Sequence, residues 1–298
     1  MRILLSGSTG LVGSELKNFL TGNGHQIINL IRYKDSENTT NIYWNYENNK
    51  IDFKRIENVD CVIHLAGENI SAKRWSEKQK KKILDSRIQS TNFLIETLIR
   101  LEKKPHTFIC ASAIGYYGNR GNEILSETSN KGNSFLSNVC DEWEKSTSKA
   151  KESGIRAVNL RFGVILSEKG GALKKMIIPF KFGLGGKIGS GNQFVSWISL
   201  EDTIKAIDFC MHKKHINGPV NIVAPNPVTN YELTKLLGEY LNRSTMFPLP
   251  AFVAKMVLGE MANELLLAST RVEPNVLLEN KFEFKYNKLN DLFKFGNK

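Results

Sequence analysis

Residues 6 to 13 read Ser6-Gly7-Ser8-Thr9-Gly10-Leu11-Val12-Gly13, with a short apolar run, Ile3 to Leu5, in front of them. Behind them Leu11, Val12, Leu16, Phe19 and Leu20 recur at helical spacing, Gly22 and Gly24 stop the periodicity, and Gln26 to Ile31 supply a second strand. Strand, glycine turn, helix and strand make a right-handed βαβ unit, which is the context a dinucleotide-binding loop requires. Gly7 permits the tight turn, Gly10 lets the backbone approach a diphosphate, and Gly13 lets helix and strand pack closely. The phosphate charge then faces the amino end of the helix, where Thr9, Leu11 and Val12 complete the expected contacts. The competing reading is a structural turn with three coincident glycines.

The end of the second strand should meet the adenosine ribose, where an acidic residue would accept from the 2′-hydroxyl of NAD. This chain offers Arg32, with Lys34 nearby. A guanidinium there can pair bidentately with a 2′-phosphate, so NADP(H) is favoured over NAD(H). A merely solvated arginine at a strand end is the alternative.

Further outward, strands are expected at Cys61 to Ala66, Thr107 to Ala111 and Arg156 to Leu160, with helical stretches near 77 to 101 and 135 to 153 between them. That alternation predicts an α/β fold: a Rossmann-type, doubly wound parallel sheet with a smaller, mostly helical C-terminal substrate lobe. The expected division is a dinucleotide-binding core over 1–165, with sheet elements returning around 194–225. Substrate-pocket segments follow over 166–246, and a mostly helical domain over 247–298 begins at Phe247-Pro248-Leu249-Pro250.

Composition bounds the remaining classes. The chain has 298 residues, 41% of them hydrophobic and 16 of them Phe, which is enough apolar surface for a packed core. Lys+Arg 41 against Asp+Glu 30 gives a net charge of +11. The basic residues are scattered, and only Lys80, Lys81 and Lys82 form a triple, so no nucleic-acid partner is expected. Cys61, Cys110, Cys140 and Cys210 lie far apart without a C-x-x-C pair, which argues against a disulfide framework or a metal site. The first apolar run breaks at Gly7, too short for a signal segment or a membrane span, so a cytoplasmic protein with no membrane partner is expected. The oligomeric state is not legible.

The glycine loop, Asp60-Cys61-Val62-Ile63-His64-Leu65-Ala66-Gly67, Ala111-Ser112-Ala113-Ile114-Gly115-Tyr116-Tyr117-Gly118 and Trp197-Ile198-Ser199-Leu200-Glu201-Asp202 together resemble the extended short-chain dehydrogenase/reductases. The run from Phe135 to Glu144 narrows the resemblance to the epimerase-like branch. The tail does so too: Gly259-Glu260-Met261-Ala262 and Arg271-Val272-Glu273-Pro274 resemble that branch's C-terminal domain of unknown function. The resemblance implies that Leu65, Ala66 and Gly67 line the nicotinamide-side ribose. It puts Arg87 where the family usually carries an asparagine, within reach of a cofactor or substrate phosphate, and Arg161 near the nicotinamide, although a salt bridge explains either arginine equally well. His64, buried between sheet and helix, reads as a core histidine.

The family's catalytic pair, a tyrosine and a lysine four residues on, is missing. Setting Glu144 against the glutamate that follows that motif puts Leu136 at the tyrosine position and Cys140 at the lysine position. An unassisted phenol, with a pKa of about 10, is a poor base at neutral pH. The nearest hydroxyls, Ser112, Tyr116 and Tyr117, are the candidate proton donors, set against a packing role for the tyrosines. A pocket lined by Lys187 and Arg161 would suit an anionic small-molecule substrate. Two functions follow: an NADP(H)-dependent oxidoreductase or nucleotide-sugar epimerase-like enzyme acting on a small polar substrate, or a catalytically silent NADP(H)-binding sensor or scaffold.

Overall fold

The computed structural model describes residues 1–33 and 40–295. The Lys34 expectation lies outside the described residues. The first strand, β1 (Arg2–Ser6), shows why its sequence is apolar without alternation. Ile3 and Leu5 enter the core on one face of the sheet with Leu16 and Leu20, while Leu4 enters the core on the other face with Ile28 and Leu30. A strand covered on both sides has no polar face to keep. Each fully buried leucine contributes about 1.5–3 kcal/mol.

The other strands are β2 (Gln26–Ile31), β3 (Asn41–Asn45), β4 (Lys50–Ile51), β5 (Cys61–His64), β6 (Thr107–Ala113), β7 (Arg156–Phe162) and β8 (Gly218–Ile222). They form one sheet in the order β8-β7-β6-β5-β1-β2-β3-β4. Every neighbouring pair is parallel except β3 with β4. Helices α1 (Leu11–Gly22) and Leu200–His212 pack on one face. Helix α2 (Glu77–Ile99) lies on the other, where Leu94, Ile95 and Leu98 are buried.

The order of connection reverses between β1 and β5, and a crevice opens there beyond the carboxyl ends of the strands. A second consequence of register lies two strands away. Ser112 of β6 stands beside Arg161 of β7, which stands beside Asn221 of β8, so three polar residues cross the sheet in one row.

Strand β5 ends at His64, two residues short of expectation, because Leu65 and Ala66 leave the sheet to line the crevice. Strands β6 and β7 each run two residues further than expected, into that polar row. The helix expected over 135–153 divides into α3 (Phe135–Lys145) and a short segment, Ser148–Glu152. At the break, Ser146 Oγ donates to Trp143 O and Thr147 Oγ1 donates to Glu144 O, so side chains take over backbone acceptors. Strands β3 and β4 at the end of the sheet were not expected, although Ile42 and Trp44 alternate inward as a strand requires.

The tail returns to the core. Arg271–Val272 pairs in parallel with Ile124–Leu125, and the backbone amides of Lys285 and Tyr286 donate to the buried Asp202. Among the described residues, no helix is long and apolar enough to cross a membrane.

Candidate functional site

The turn after β1 is built so that main chain meets main chain. Gly7 has φ +75°, and a Cβ there would lie 2.8 Å from Leu65 C and 2.9 Å from Ala66 N, inside contact distance. A Cβ on Gly13 would stand 2.1 Å from Gly7 O, so only glycine lets α1 press onto the turn. Gly10 differs: a Cβ there would meet protein only at Gly7 O, 3.4 Å away, and otherwise would project into open space. Helix α1 starts at Gly10 with no side-chain cap and no acidic residue in its first turn. Its leading amides and the positive end of its dipole therefore face the crevice with no acidic residue of their own turn, as a bound diphosphate requires, while Glu68 of the cleft lining is held by Gln79 and Lys82. The residues present fit a dinucleotide.

The cleft over this turn has a volume of about 270 Å³. Gly7, Thr9 and Gly10 form its floor, Leu65, Ala66 and Gly67 one side, and Arg32, Trp44 and Tyr46 the far end. Arg32 is exposed at that end; among the described residues no carboxylate lies within ion-pair distance of it, and Glu68, which lines the same cleft, pairs with Lys82. Leu11 packs its side chain against Gly170 and Gly171, and Val12 lines the next cavity.

His64 fixes the wall of the cleft. Ser90 Oγ donates to Ser86 O, so the 3.1 Å contact between His64 Nε2 and Ser90 Oγ makes Nε2 the protonated nitrogen. Nδ1 then accepts from Ser6 Oγ at 2.6 Å, and that hydroxyl accepts in turn from Ala66 N. Burial lowers the imidazole's pKa to about 3, so it stays neutral and holds the Leu65–Gly67 turn in place.

Beyond Leu65 a second cavity of about 420 Å³ opens, lined by Ala111, Ser112, Leu136, Cys140, Phe162 and Arg87 among others. It runs on through Gly115, Leu136, Glu264 and Thr270 into a space of about 670 Å³ beneath the helix Ala251–Leu258. Of the three candidate hydroxyls, only Ser112 faces the inner cavity. It donates to Glu144 Oε1 at 2.7 Å, and Glu144 receives both Nε and Nη2 of Arg161 at 2.8 Å each.

Arg161 Nη1 donates to Tyr117 Oη at 2.9 Å, and Tyr117 donates to Asn221 Oδ1 at 2.7 Å. Tyr117 is fully buried, and burial pushes its hydroxyl up to about 12. Tyr116 lays its ring 3.6 Å from the Arg161 guanidinium carbon. Burial works against the charge on Arg161, but Glu144 holds its pKa above the ordinary value. The two tyrosines thus belong to a buried ionic network together with Arg161, which lines neither cavity. Lys187 does not reach them either, since its amine donates to Ser190 O.

Arg87 is the arginine that lines the inner cavity. Its guanidinium carbon lies 5.0 Å from the centre of the Trp143 ring, and its Nη1 donates to Ile83 O. Leu136 and Cys140 also face this space, so the positions set against the tyrosine and lysine do reach the site. Burial pushes the Cys140 thiol up to about 12, which leaves it a small hydrophobe at neutral pH.

Sequence reasoning missed Glu264. Its carboxylate accepts from Ser134 Oγ at 2.8 Å and from the amides of Phe135 and Leu136 at 3.0 and 2.9 Å, so the tail supplies the cap of α3 beside the inner cavity. A contact across more than 120 residues leaves no local signal.

Comparison with known proteins fits this arrangement. Residues 3–223 match the NAD dependent epimerase/dehydratase family, and residues 249–295 match a domain of unknown function, DUF1731. The chain is 37% identical over 294 residues to an epimerase family protein of Mycobacterium leprae, covering 99% of this chain and 95% of that protein. It superposes on the human epimerase family protein SDR39U1, solved with NADPH, with a TM-score of 0.90 and 30% identity, covering 99% and 98% of the two chains. A nucleoside-diphosphate sugar epimerase from Corynebacterium glutamicum gives 0.80 and 32%, covering 99% of this chain and 58% of that one.

Proposed function

The chain belongs to the NAD dependent epimerase/dehydratase family, and from that premise we propose that it binds NADP(H) in the glycine cleft. There it would act as an oxidoreductase or epimerase-like enzyme on a small anionic substrate held in the inner cavity. The observation that carries this reading is the uncapped start of α1 over a floor where side chains cannot fit at Gly7 and Gly13. The similar human protein solved with NADPH supports it.

When bound, the dinucleotide supplies a hydride donor or acceptor. The chain's own residues bind and orient. The leading amides of α1 take the diphosphate, Arg32 takes the 2′-phosphate, and the turn held by His64 shapes the wall. Ser112 presents the cavity with a hydroxyl whose proton is drawn toward Glu144, and Arg161 holds that carboxylate in place.

A second reading, a silent NADP(H)-binding sensor or scaffold, is favoured by Leu136 and Cys140 where the family places its tyrosine and lysine. No proton donor of that kind faces the cavity among the described residues.

Trp44 lines the cleft, so energy transfer from tryptophan to the reduced cofactor reports binding. NADPH should bind at least tenfold more tightly than NADH, since a charge-assisted bond is worth about 1.5–3 kcal/mol. Arg32→Ala should remove the preference. Tighter binding of NADH by the unaltered protein would refute the assignment of Arg32. Oxidation of NADPH by any of a panel of ketones and nucleotide sugars would separate the enzyme from the silent reading.

A further inference from the structure

The inner cavity has little to offer a sugar. Its polar lining is largely committed to the protein itself: Ser112 donates to Glu144, Thr270 Oγ1 to Gly118 O, and Ser196 Oγ to Thr270 O while accepting from Val272 N. Glu264 is held by its three donors on α3. Most of the remaining wall is apolar, including Val12, Ile114, Val139, Phe162, Met176 and Phe194. A ligand rich in hydroxyls surrenders its bonds to water on entering such a space, and a mostly apolar wall replaces few of them.

Two groups of the lining offer free donors, while the Glu264 carboxylate is turned to the start of α3. Arg87 reaches in from α2, and among the described residues its guanidinium makes one hydrogen bond, from Nη1 to Ile83 O, which leaves Nε and Nη2 to donate. Among the described residues no carboxylate pairs with it. Asn230 accepts from the amide of Ile188 through Oδ1, which leaves its NH2 group to donate. Burial lowers the pKa of Arg87 from its ordinary value, so an anion arriving beside it relieves a cost already present. An apolar chamber with an unpaired guanidinium and an amide donor is complementary to a molecule that is hydrocarbon over most of its surface and anionic at one end.

On the reading that the glycine cleft holds NADP(H), we propose that the inner cavity takes a largely apolar organic acid, with its carboxylate on Arg87 and its hydrocarbon against the cavity wall. The polarity of the substrate is then concentrated in one group, and a nucleotide sugar is the wrong shape of polarity for the chamber. Arg87 is thereby assigned to the substrate. It lines the inner cavity beside Gly67 of the cleft wall, where a Cβ would lie 3.3 Å from its guanidinium carbon, so it stands where the two spaces meet.

The test is calorimetric titration of trans-cinnamate, octanoate, cinnamamide and UDP-glucose into the protein saturated with NADP+, repeated without NADP+. Cinnamate should bind at least tenfold more tightly than cinnamamide, and UDP-glucose more weakly than either acid. In Arg87→Gln the acid and the amide should bind alike, and Arg87→Lys should recover part of the difference. The proposal is overturned if neither acid binds, if amide and acid bind equally to the unaltered protein, or if UDP-glucose binds more tightly. It is also overturned if Arg87→Gln weakens NADP+ more than cinnamate. Failure of NADP+ to bind the unaltered protein would instead refute the cofactor reading, and the acid-against-amide comparison in its absence keeps the two apart.

Discussion

At the scale of single residues, side chains that look chemically able are mostly holding something still. His64 could be an acid or base by type, yet it is a neutral strut between Ser6 and Ser90. That role has a pH signature. With the native pKa lowered from 6.5 to about 3, the unfolded chain takes up a proton in that interval and the native chain does not. The contribution is complete above pH 6.5 and is lost as pH falls toward 3. Urea unfolding should show the protein losing about 2 kcal/mol from this group between pH 7.5 and pH 5. In His64→Gln that increment should vanish, and an unchanged pH dependence would contradict the assignment. Ser112, Tyr116 and Tyr117 were all legible as hydroxyls near the site. Only the cross-strand register separates Ser112, at the cavity, from Tyr117, locked between Arg161 and Asn221.

Among the elements, α3 shows most clearly what local sequence conceals. Its start carries Ser134 as a cap of its own, accepting from Ser137 N, but Glu264 of the short helix Glu260–Leu265 covers the amides of Phe135 and Leu136. Glu264→Ala should therefore cost about 0.5–2 kcal/mol, the usual range for loss of a helix cap. It should also speed proteolysis within 251–267, because a tie between the tail and the core is cut. Limited proteolysis of the two proteins side by side checks this, and equal rates of cleavage would mean that the tail is held by other contacts. The strands and helices of the first βαβ unit were legible because their periodicity and glycine stops agree. Strands β3 and β4 were not, since polar neighbours hide the two-residue alternation of Ile42 and Trp44 in β3 and β4 is only two residues long. The break at Ser146 and Thr147 also escaped, because helical periodicity carries no mark of a hydroxyl competing for a carbonyl.

For the molecule as a whole, one sheet with a reversal between β1 and β5 sets out two linked spaces, a cleft built of main chain and a chamber built of hydrocarbon. The cleft could be read from sequence because three glycines, a strand and a helix are consecutive. The chamber could not, since Arg87, Ser112, Phe162, Asn230 and Glu264 meet only through the fold. Both rest on the claim that the start of α1 receives a diphosphate, and Gly10 isolates that claim from the fold. A Cβ at Gly10 meets nothing of the protein closer than 3.4 Å, whereas at Gly13 it would strike Gly7 O. Calorimetric titration of NADPH into the unaltered protein and into Gly10→Ala, with thermal unfolding of both, is the direct measurement. A nearly unchanged melting temperature and at least a tenfold loss of NADPH affinity are expected in the variant. Equal affinity in the two proteins would contradict it.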